Sequence, residues 1–341
     1  KLGPSQIPEL SHMMHEEFKR CGGFFYHESR KEAERFQQAS AEKALAQKGV
    51  FNDYSVTEQD RLKNLFPMVN AERIEQTIRQ LASYHNRYYT SDSGVESMNW
   101  IAKKWGQLTS HRSDVDVELY EHSQWRQPSV IMTIEGSSKP EEVVVLGGHA
   151  DSIAGWWRRA SKRAPGADDN ASGIATLTEV IRLLMQTDYR PERTIKFMGY
   201  AAEEVGLRGS KAIAKQMKEE NRNVVGVLQL DMTNFQGSEE WDITLISDYT
   251  NEEQNAFLGK LIDSYLEELS WGYDQCGYAC SDHASWYMQG FPASFPFEAK
   301  KRNMNPEIHT DDDDLEYLGN NAEHAAKFAK LSMAYVIEMD R

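Results

Sequence analysis

The stretch EVVVLGG at residues 142–148 decides the fold, because it is an apolar run between polar residues. Two similar runs follow it, TIKFMGYA at 194–201 and VVGVLQL at 224–230. Such runs are typical of strands that are buried on both faces of a sheet. Residues 172–185 carry apolar side chains at a spacing of 3.6 residues, which predicts an amphipathic helix. Strands that alternate with helices predict the α/β class, with a mixed, mainly parallel central β-sheet sandwiched by helices.

Weaker patterns extend this alternation along the rest of the chain. They predict helices over residues 71–88, 94–105, 210–219, 252–269 and 320–339, and strands over 130–134, 243–246 and 291–295. The first 60 residues differ, since residues 28–48 are polar and rich in Ala, Glu, Lys and Gln, which favours helix. We interpret this region either as a surface appendage with one or two helices or as a helix packed on the main domain.

Composition argues against several classes of protein. The 341 residues include 38 Lys and Arg against 53 Asp and Glu, a net charge of −15. An acidic surface repels phosphate backbones and anionic lipid, so we expect no binding to nucleic acid or to membranes. The 3 Cys are too few for a disulfide-dense scaffold. Because the chain starts at Lys1 and not at Met, we expect that an N-terminal export signal has been removed.

Side chains that can bind metal follow the ends of the three apolar runs. They are His149 and Asp151 after the first run, Glu203 and Glu204 after the second, and Asp231 after the third. Asp168 and Asp169 lie in the loop that opens the helix after the first run, and His309 lies near the C-terminus. Each alone has an ordinary explanation as a loop residue, a solvated face or a helix N-cap. Together they would meet in the crevice beyond the carboxyl ends of the strands. Imidazole and carboxylate ligands suit zinc or manganese, and this number of them fits two metals better than one.

Six segments of the chain resemble the motifs of the secreted bacterial leucyl aminopeptidases, two-zinc enzymes of the zinc-exopeptidase superfamily. They are HAD at 149–151, GADDNASG at 166–173, AAEEVGLRGS at 201–210, LQLDMTN at 228–234, CGYACSDHASW at 276–286 and NPEIHT at 305–310. The resemblance runs from about Val69 to the C-terminus and implies the phosphorylase/hydrolase-like fold of that superfamily. It implies one di-zinc catalytic domain at residues 61–341, and leaves residues 1–60 as an appendage or the remnant of a pro-segment.

The resemblance also implies five ligands for two zinc ions per chain. His149 and Asp231 would bind one ion, and Glu204 and His309 would bind the other. Asp169 would bridge the two ions together with a water or hydroxide. Five side chains leave both sites open, as catalytic zinc requires.

Three further residues would act in catalysis by the same resemblance. Asp151 would accept the N–H of a ligand imidazole and fix its tautomer. Glu203 would be the general base and acid, taking a proton from the zinc-bound water and returning it to the leaving amine. Tyr278 would donate a hydrogen bond to the oxyanion, or it is a packed aromatic residue. The family also carries a cis peptide bond at the position of Asp169 and Asn170.

The implied activity is removal of the N-terminal residue from peptides or proteins that have a free α-amine. Met232, Phe297 and Ile308, together with Tyr278, would line an apolar pocket for a leucine-like first side chain. Residues 300–302 (KKR) depart from the family, which has a second pocket aromatic near this position. Either the pocket admits acidic or polar first residues, or these basic side chains point to solvent.

By the same resemblance Cys276 and Cys280 form a local disulfide that braces the loop between them. A zinc-binding pair and two free thiols are the alternatives. We also expect Ser281 to support Asp231 by a hydrogen bond, and His283 to be a structural helix residue because the five ligand positions are filled.

Three regions lie outside these motifs. GWWRRASKR at 155–163 combines two Trp with four basic side chains, which indicates either a lip for extended peptides or a loop packed on its Trp. Residues 311–314 (DDDD) are interpreted as a solvated, negatively charged loop end. Cys21 is left without a predicted partner.

Other interpretations are open at this point. The same superfamily includes carboxypeptidases, which need a cation for the terminal carboxylate, and single-zinc glutaminyl cyclases, which would not need all five ligands. A binding ectodomain that has lost its metals conflicts with retention of Glu203 and of every ligand. Residues 1–60 could be a retained pro-segment that damps activity. We predict a secreted, monomeric zinc aminopeptidase whose partners are peptide N-termini.

Overall fold

The structure is a computed structural model that describes residues 6–16, 24–27, 29–35, 54–155, 158–237 and 240–340. Its helices are α1 (Ile7–Glu16), α2 (Gln59–Leu65), α3 (Ala71–Ala82), α4 (Asp92–Thr109), α5 (Gly173–Gln186), α6 (Arg208–Glu219), α7 (Glu252–Tyr265), α8 (His283–Met288) and α9 (Glu323–Met339). Its strands are β1 (Val115–Tyr120), β2 (Ser129–Ile134), β3 (Lys139–His149), β4 (Arg193–Tyr200), β5 (Asn223–Gln229), β6 (Ile243–Ile246), β7 (Trp271–Asp274) and β8 (Ala293–Phe297). Cys21, the two Trp at 156–157 and most of the stretch 28–48 lie outside the described residues.

The described strands form an eight-stranded mixed sheet in the order β1-β2-β4-β3-β5-β8-β6-β7. Strands β4, β3, β5 and β8 are parallel to one another. Strand β6 is antiparallel to β8 and parallel to β7, and β2 is antiparallel to both β4 and β1. The three apolar runs of the sequence are the central strands β3, β4 and β5, so their carboxyl ends lie side by side. The predicted fold class is confirmed.

Helices cover both faces of the sheet, which explains why the central strands are apolar throughout. Successive side chains of a strand point to opposite faces. Val144 and Leu146 of β3 belong to a large apolar core with α5 and α9. Val143 and Val145 belong to a second core with α6 and α8. The three valine side chains and the leucine side chain are all buried.

Two predicted helices end earlier than expected. The helix predicted over 71–88 ends at Ala82. The residues after it bind a distant loop instead, since Asn86 Nδ2 donates to the carbonyls of Ala160 at 3.1 Å and Lys162 at 2.8 Å. The helix predicted to reach residue 269 ends at Tyr265, and the chain then enters β7.

The edge strands β1 and β7 are not predicted from the sequence. Their side chains are half-buried or exposed, so they carry only a weak apolar signal. The strand predicted over 291–295 begins two residues later, at Ala293, and the helix predicted over 320–339 begins at Glu323. No helix among the described residues is long and apolar enough to cross a membrane.

The described parts of the N-terminal region contact the main domain. The Ser11 hydroxyl of α1 donates to the main-chain carbonyl of Glu204 at 3.0 Å and accepts from Arg159 Nη1 at 2.8 Å. Within the described part of the stretch 28–48, Glu32 forms an ion pair with Lys211 of α6 at 2.7 Å. The first of these contacts lies on the loop that follows β4.

Candidate metal centre

The fold brings the five predicted ligands together at the carboxyl edge of the sheet. His149 is the last residue of β3, and Glu204 and Asp231 lie in the loops that follow the parallel strands β4 and β5. Asp169 lies in the irregular turn that opens α5, and His309 in the loop between β8 and α9. His309 is half-buried, and the other four side chains are buried.

The five side chains form two sets that share one carboxylate. His149 Nε2 lies 3.0 Å from Asp169 Oδ1 and 3.2 Å from Asp231 Oδ1. His309 Nε2 lies 2.9 Å from Asp169 Oδ2 and 3.1 Å from Glu204 Oε2. Each set therefore combines one imidazole with two carboxylates, and each uses a different oxygen of Asp169. This is the grouping that the family resemblance implies.

The donor set fits divalent metal ions. Burial and the nearby Asp169 raise the pKa of Glu204 to about 7. Burial alone would lower the pKa of His149, but Asp231 and the neighbouring carboxylates outweigh it and raise that pKa well above its usual range. Nearby cations stabilise the anionic form of buried carboxylates. Imidazole nitrogen and carboxylate oxygen are ligands that zinc accepts.

Asp151 connects His149 with the loop that carries Glu203 and Glu204. Its carboxylate accepts the backbone N–H of Glu203 at 3.0 Å and that of Glu204 at 3.3 Å. His149 Nδ1 lies 3.1 Å from the main-chain oxygen of Asp151 and 3.5 Å from its carboxylate. Asp151 therefore holds the backbone after β4 in addition to facing the imidazole, and the first of these contacts was not predicted from the sequence.

Comparison with known proteins decides the family. Residues 129–335 match the profile of the family described as Peptidase family M28. The chain belongs to this family. A probable aminopeptidase of Saccharomyces cerevisiae is 34% identical over 287 residues, which cover 82% of this chain and 75% of the relative. Leucine aminopeptidase 1 of Fusarium vanettenii is 34% identical over 293 residues, which cover 82% of this chain and 73% of the relative.

Solved structures agree with this membership. The LapA aminopeptidase of Legionella pneumophila is 33% identical with a TM-score of 0.77, over 84% of this chain and 75% of that one. LapB of the same organism is 28% identical with a TM-score of 0.83, over 100% of this chain and 90% of that one. The predicted enzyme class, a zinc-dependent exopeptidase, is confirmed. The relatives are fungal as well as bacterial, so the likeness is not restricted to the bacterial enzymes that the motifs suggested.

In this M28 peptidase the peptide bond between Asp169 and Asn170 is cis, as predicted. The Asn170 amide ties together the strand ends on either side of it. Its Nδ2 donates to the carbonyls of His149 at 3.2 Å and Leu230 at 2.9 Å, and its Oδ1 accepts the N–H of Met232 at 3.1 Å. An amide can donate and accept at once, which a carboxylate cannot.

Arg87 supports the backbone of the same region, although it is not among the residues predicted from the sequence. Its guanidinium is fully buried. It donates to the carbonyls of Ala150 at 2.9 Å, Gly166 at 2.8 Å and Leu81 at 3.2 Å, and also to that of Pro165. Burial lowers its pKa to about 10, so it remains a cation at neutral pH. A lone arginine after a helix carries no motif that would reveal this role.

The interpretation of residues 311–314 as a solvated loop end is wrong for one of them. Asp313 is buried, with 1% of its surface exposed. Its carboxylate accepts the backbone N–H of Asp168 at 3.0 Å and of Asp169 at 3.1 Å, and an amide N–H of Asn305 at 3.2 Å. Asp313 therefore fixes the turn that carries the shared carboxylate, and a run of four aspartates hides which one turns inward.

The predicted pocket residues pack together beside the metal centre. Met232, Phe297 and Tyr278 lie in one apolar cluster, against which Ile308 packs. The Cys276–Cys280 disulfide is formed and flanks Tyr278. A cleft of about 930 Å³ opens beside this cluster. Its lining includes Trp241, Tyr273, Lys301, Met304, Ile308 and His309.

Two supporting predictions agree with the geometry. Ser281 Oγ donates to Asp231 Oδ2 at 2.6 Å. His283 is buried, its Nε2 lies 3.0 Å from the Asp248 carbonyl, and burial lowers its pKa to about 3, which suits a structural residue. The loop at 155–163 is interpreted as a lip for peptides or as a loop packed on its Trp. Both Trp lie outside the described residues, so these interpretations stay predictions.

Proposed function

We propose that the protein is a secreted zinc aminopeptidase that removes the first residue from peptides with a free α-amine. The observation that carries this proposal is the pair of ligand sets joined through Asp169, with Glu203 beside them. His149 and Asp231 would hold one zinc ion, and Glu204 and His309 the other. Two zinc ions held in this way would polarise the scissile carbonyl and activate water for attack.

Glu203 is the proposed general base and acid. Its side chain is fully buried, and among the described residues neither of its carboxylate oxygens has a hydrogen-bond partner. Burial raises its pKa well above the usual range. A carboxylate with a raised pKa can take a proton from water and later give it to the leaving amine at neutral pH. The Asp151 carboxylate keeps Glu203 in place through its backbone N–H.

Tyr278 is the proposed donor to the carbonyl oxygen of the scissile bond. It is 8% exposed and belongs to the apolar cluster with Met232 and Phe297, so packing holds its ring in place. Hydrogen-bond donors aimed at a developing oxyanion are worth about 10²- to 10³-fold in kcat. The apolar side chains of this cluster suit the aliphatic part of a first residue such as leucine.

The Cys276–Cys280 disulfide supports the proposed secretion, because disulfides persist in oxidising compartments and are rare in the cytosol. The complete set of five ligands supports an enzyme in preference to a binding ectodomain without metal.

The test compares release of p-nitroaniline from leucyl-p-nitroanilide and from its N-acetylated form. We expect turnover of the free amine only, loss of turnover on chelation and recovery on addition of zinc. Turnover of the acetylated substrate at a similar rate, or turnover that survives complete removal of metal, would contradict the proposal.

A further inference from the structure

The side chain of Lys301 lies in the cleft beside His309 without an anionic partner. Its ammonium contacts the thioether sulfur of Met304 at 2.8 Å and lies 5.9 Å from the centre of the Tyr278 ring. Among the residues that the structure describes, no carboxylate oxygen lies within 4.0 Å of it. Since a thioether is a weak acceptor, the three N–H donors of this ammonium are poorly satisfied. The side chain is half-buried, so water compensates only in part.

Two charged neighbours of Lys301 are engaged elsewhere, and Arg302, which also lines the cleft, donates to the amide oxygen of Asn303 at 3.2 Å. Lys300 pairs with Glu240 at 2.5 Å and lies 4.0 Å from the centre of the Trp241 ring. The two oxygens of Asp274 accept backbone N–H groups, those of Gln275 at 2.8 Å and of Lys301 itself at 2.9 Å. Asp274 thus fixes the backbone of Lys301 and leaves its ammonium to the cleft.

The position of this ammonium matters because the same cleft is lined by Ile308 and His309. His309 belongs to the ligand sets, and Tyr278, near Lys301, is the proposed donor to the reacting carbonyl. A side chain that enters from the metal centre would run along Ile308 and Met304 and would end at the ammonium. A substrate side chain with an aliphatic stem and a terminal carboxylate would match this order, first apolar side chains and then a cation.

We propose that Lys301 recognises the side-chain carboxylate of substrates whose first residue is acidic, glutamate above all. This inference rests on the proposed aminopeptidase function and adds a substrate class to it. Lys301 is a specificity residue that forms a charge-assisted hydrogen bond with the substrate. Such a bond contributes about 10- to 100-fold to the specificity constant.

The experiment measures kcat/KM for glutamyl-, glutaminyl-, leucyl- and lysyl-p-nitroanilide on the zinc-loaded enzyme. We expect the wild-type enzyme to cleave the glutamyl substrate with a kcat/KM within about tenfold of the leucyl value or above it, and the lysyl substrate least. In Lys301→Met, which keeps the length and removes the charge, the ratio of glutamyl to leucyl kcat/KM should fall about 10- to 100-fold, mainly through KM. Lys301→Arg should retain most of the preference. Lys260→Met is the control, because Lys260 is an exposed residue of α7 that does not line this cleft, and it should leave the ratio unchanged.

The outcomes separate this inference from the function on which it rests. Metal-dependent cleavage of leucyl substrate without measurable cleavage of glutamyl substrate would overturn the role of Lys301 and leave the aminopeptidase intact. A similar loss for both substrates in Lys301→Met would also overturn it, because it would indicate a structural role. Failure to cleave any free-amine substrate would overturn both proposals.

Discussion

Replacing Arg87 by methionine should destabilise the protein strongly, although this residue lies outside every motif. The buried guanidinium donates to four main-chain carbonyls, two of which lie in the turn before Asp169 and one between His149 and Asp151. Methionine cannot donate, so these carbonyls lose their charged donor in a place that water does not reach. A buried acceptor left without a partner costs about 1–3 kcal/mol. Since the apolar methionine offsets part of the loss, we expect a net decrease of about 3–5 kcal/mol in the free energy of unfolding.

The assay is urea denaturation in the presence of chelator, so that metal binding does not add to the stability. Arg87→Lys retains the charge but offers fewer donors, and should lose about 1–3 kcal/mol. Arg126→Met is the control, because its ion pair with Asp92 is exposed and should contribute less than about 1 kcal/mol. A decrease below about 1 kcal/mol for Arg87→Met would refute the reasoning, since it would mean that the four carbonyls find other donors or water.

Three further predictions follow from the site and the core. Glu203→Gln should lower kcat about 10²- to 10⁴-fold while the zinc content, measured by atomic absorption, stays at the wild-type level; a loss of zinc in parallel would make Glu203 a ligand and not a base. Ser11→Ala should lower the thermal midpoint and raise zinc loss on dilution, because the hydroxyl no longer joins Arg159 to the Glu204 carbonyl; unchanged zinc retention would show that α1 does not support the site. Acidification should destabilise the fold through His122, whose pKa is lowered to about 4 by burial. The unfolded chain binds a proton there below about pH 6.5 and the folded chain does not, so stability is full above that pH and falls by about 2 kcal/mol at pH 5. His122→Gln should reduce this slope in urea titrations, and an identical slope would contradict the assignment.

The centre of the fold could be predicted because its signal is local. The valines of β3 are buried on both faces, and the proposed ligands His149 and Asp231 directly follow apolar runs, so pattern and position in the chain coincide. The same logic fails at the edges of the sheet, where β1 and β7 bury too little to leave an apolar pattern.

The supports of the site could not be predicted for a different reason. Arg87 and Asp313 act mainly through hydrogen bonds to backbone groups of residues more than 60 positions away. Backbone groups are the same in every residue, so such bonds leave no trace in the partner's sequence. The contact of Ser11 with the Glu204 carbonyl spans 193 positions and is hidden in the same way.

The carboxylate of Asp169 belongs to both ligand sets and would therefore couple the two proposed metal positions. Its two oxygens face different imidazoles, at 3.0 and 2.9 Å, so an ion at one position fixes the orientation of the donor offered to the other. If two ions bind as proposed, their affinities are thermodynamically linked, and each changes the other by the same factor whichever binds first. Titration with metal would then yield a free energy of interaction between the two bound ions. Asp169→Ala should abolish this interaction.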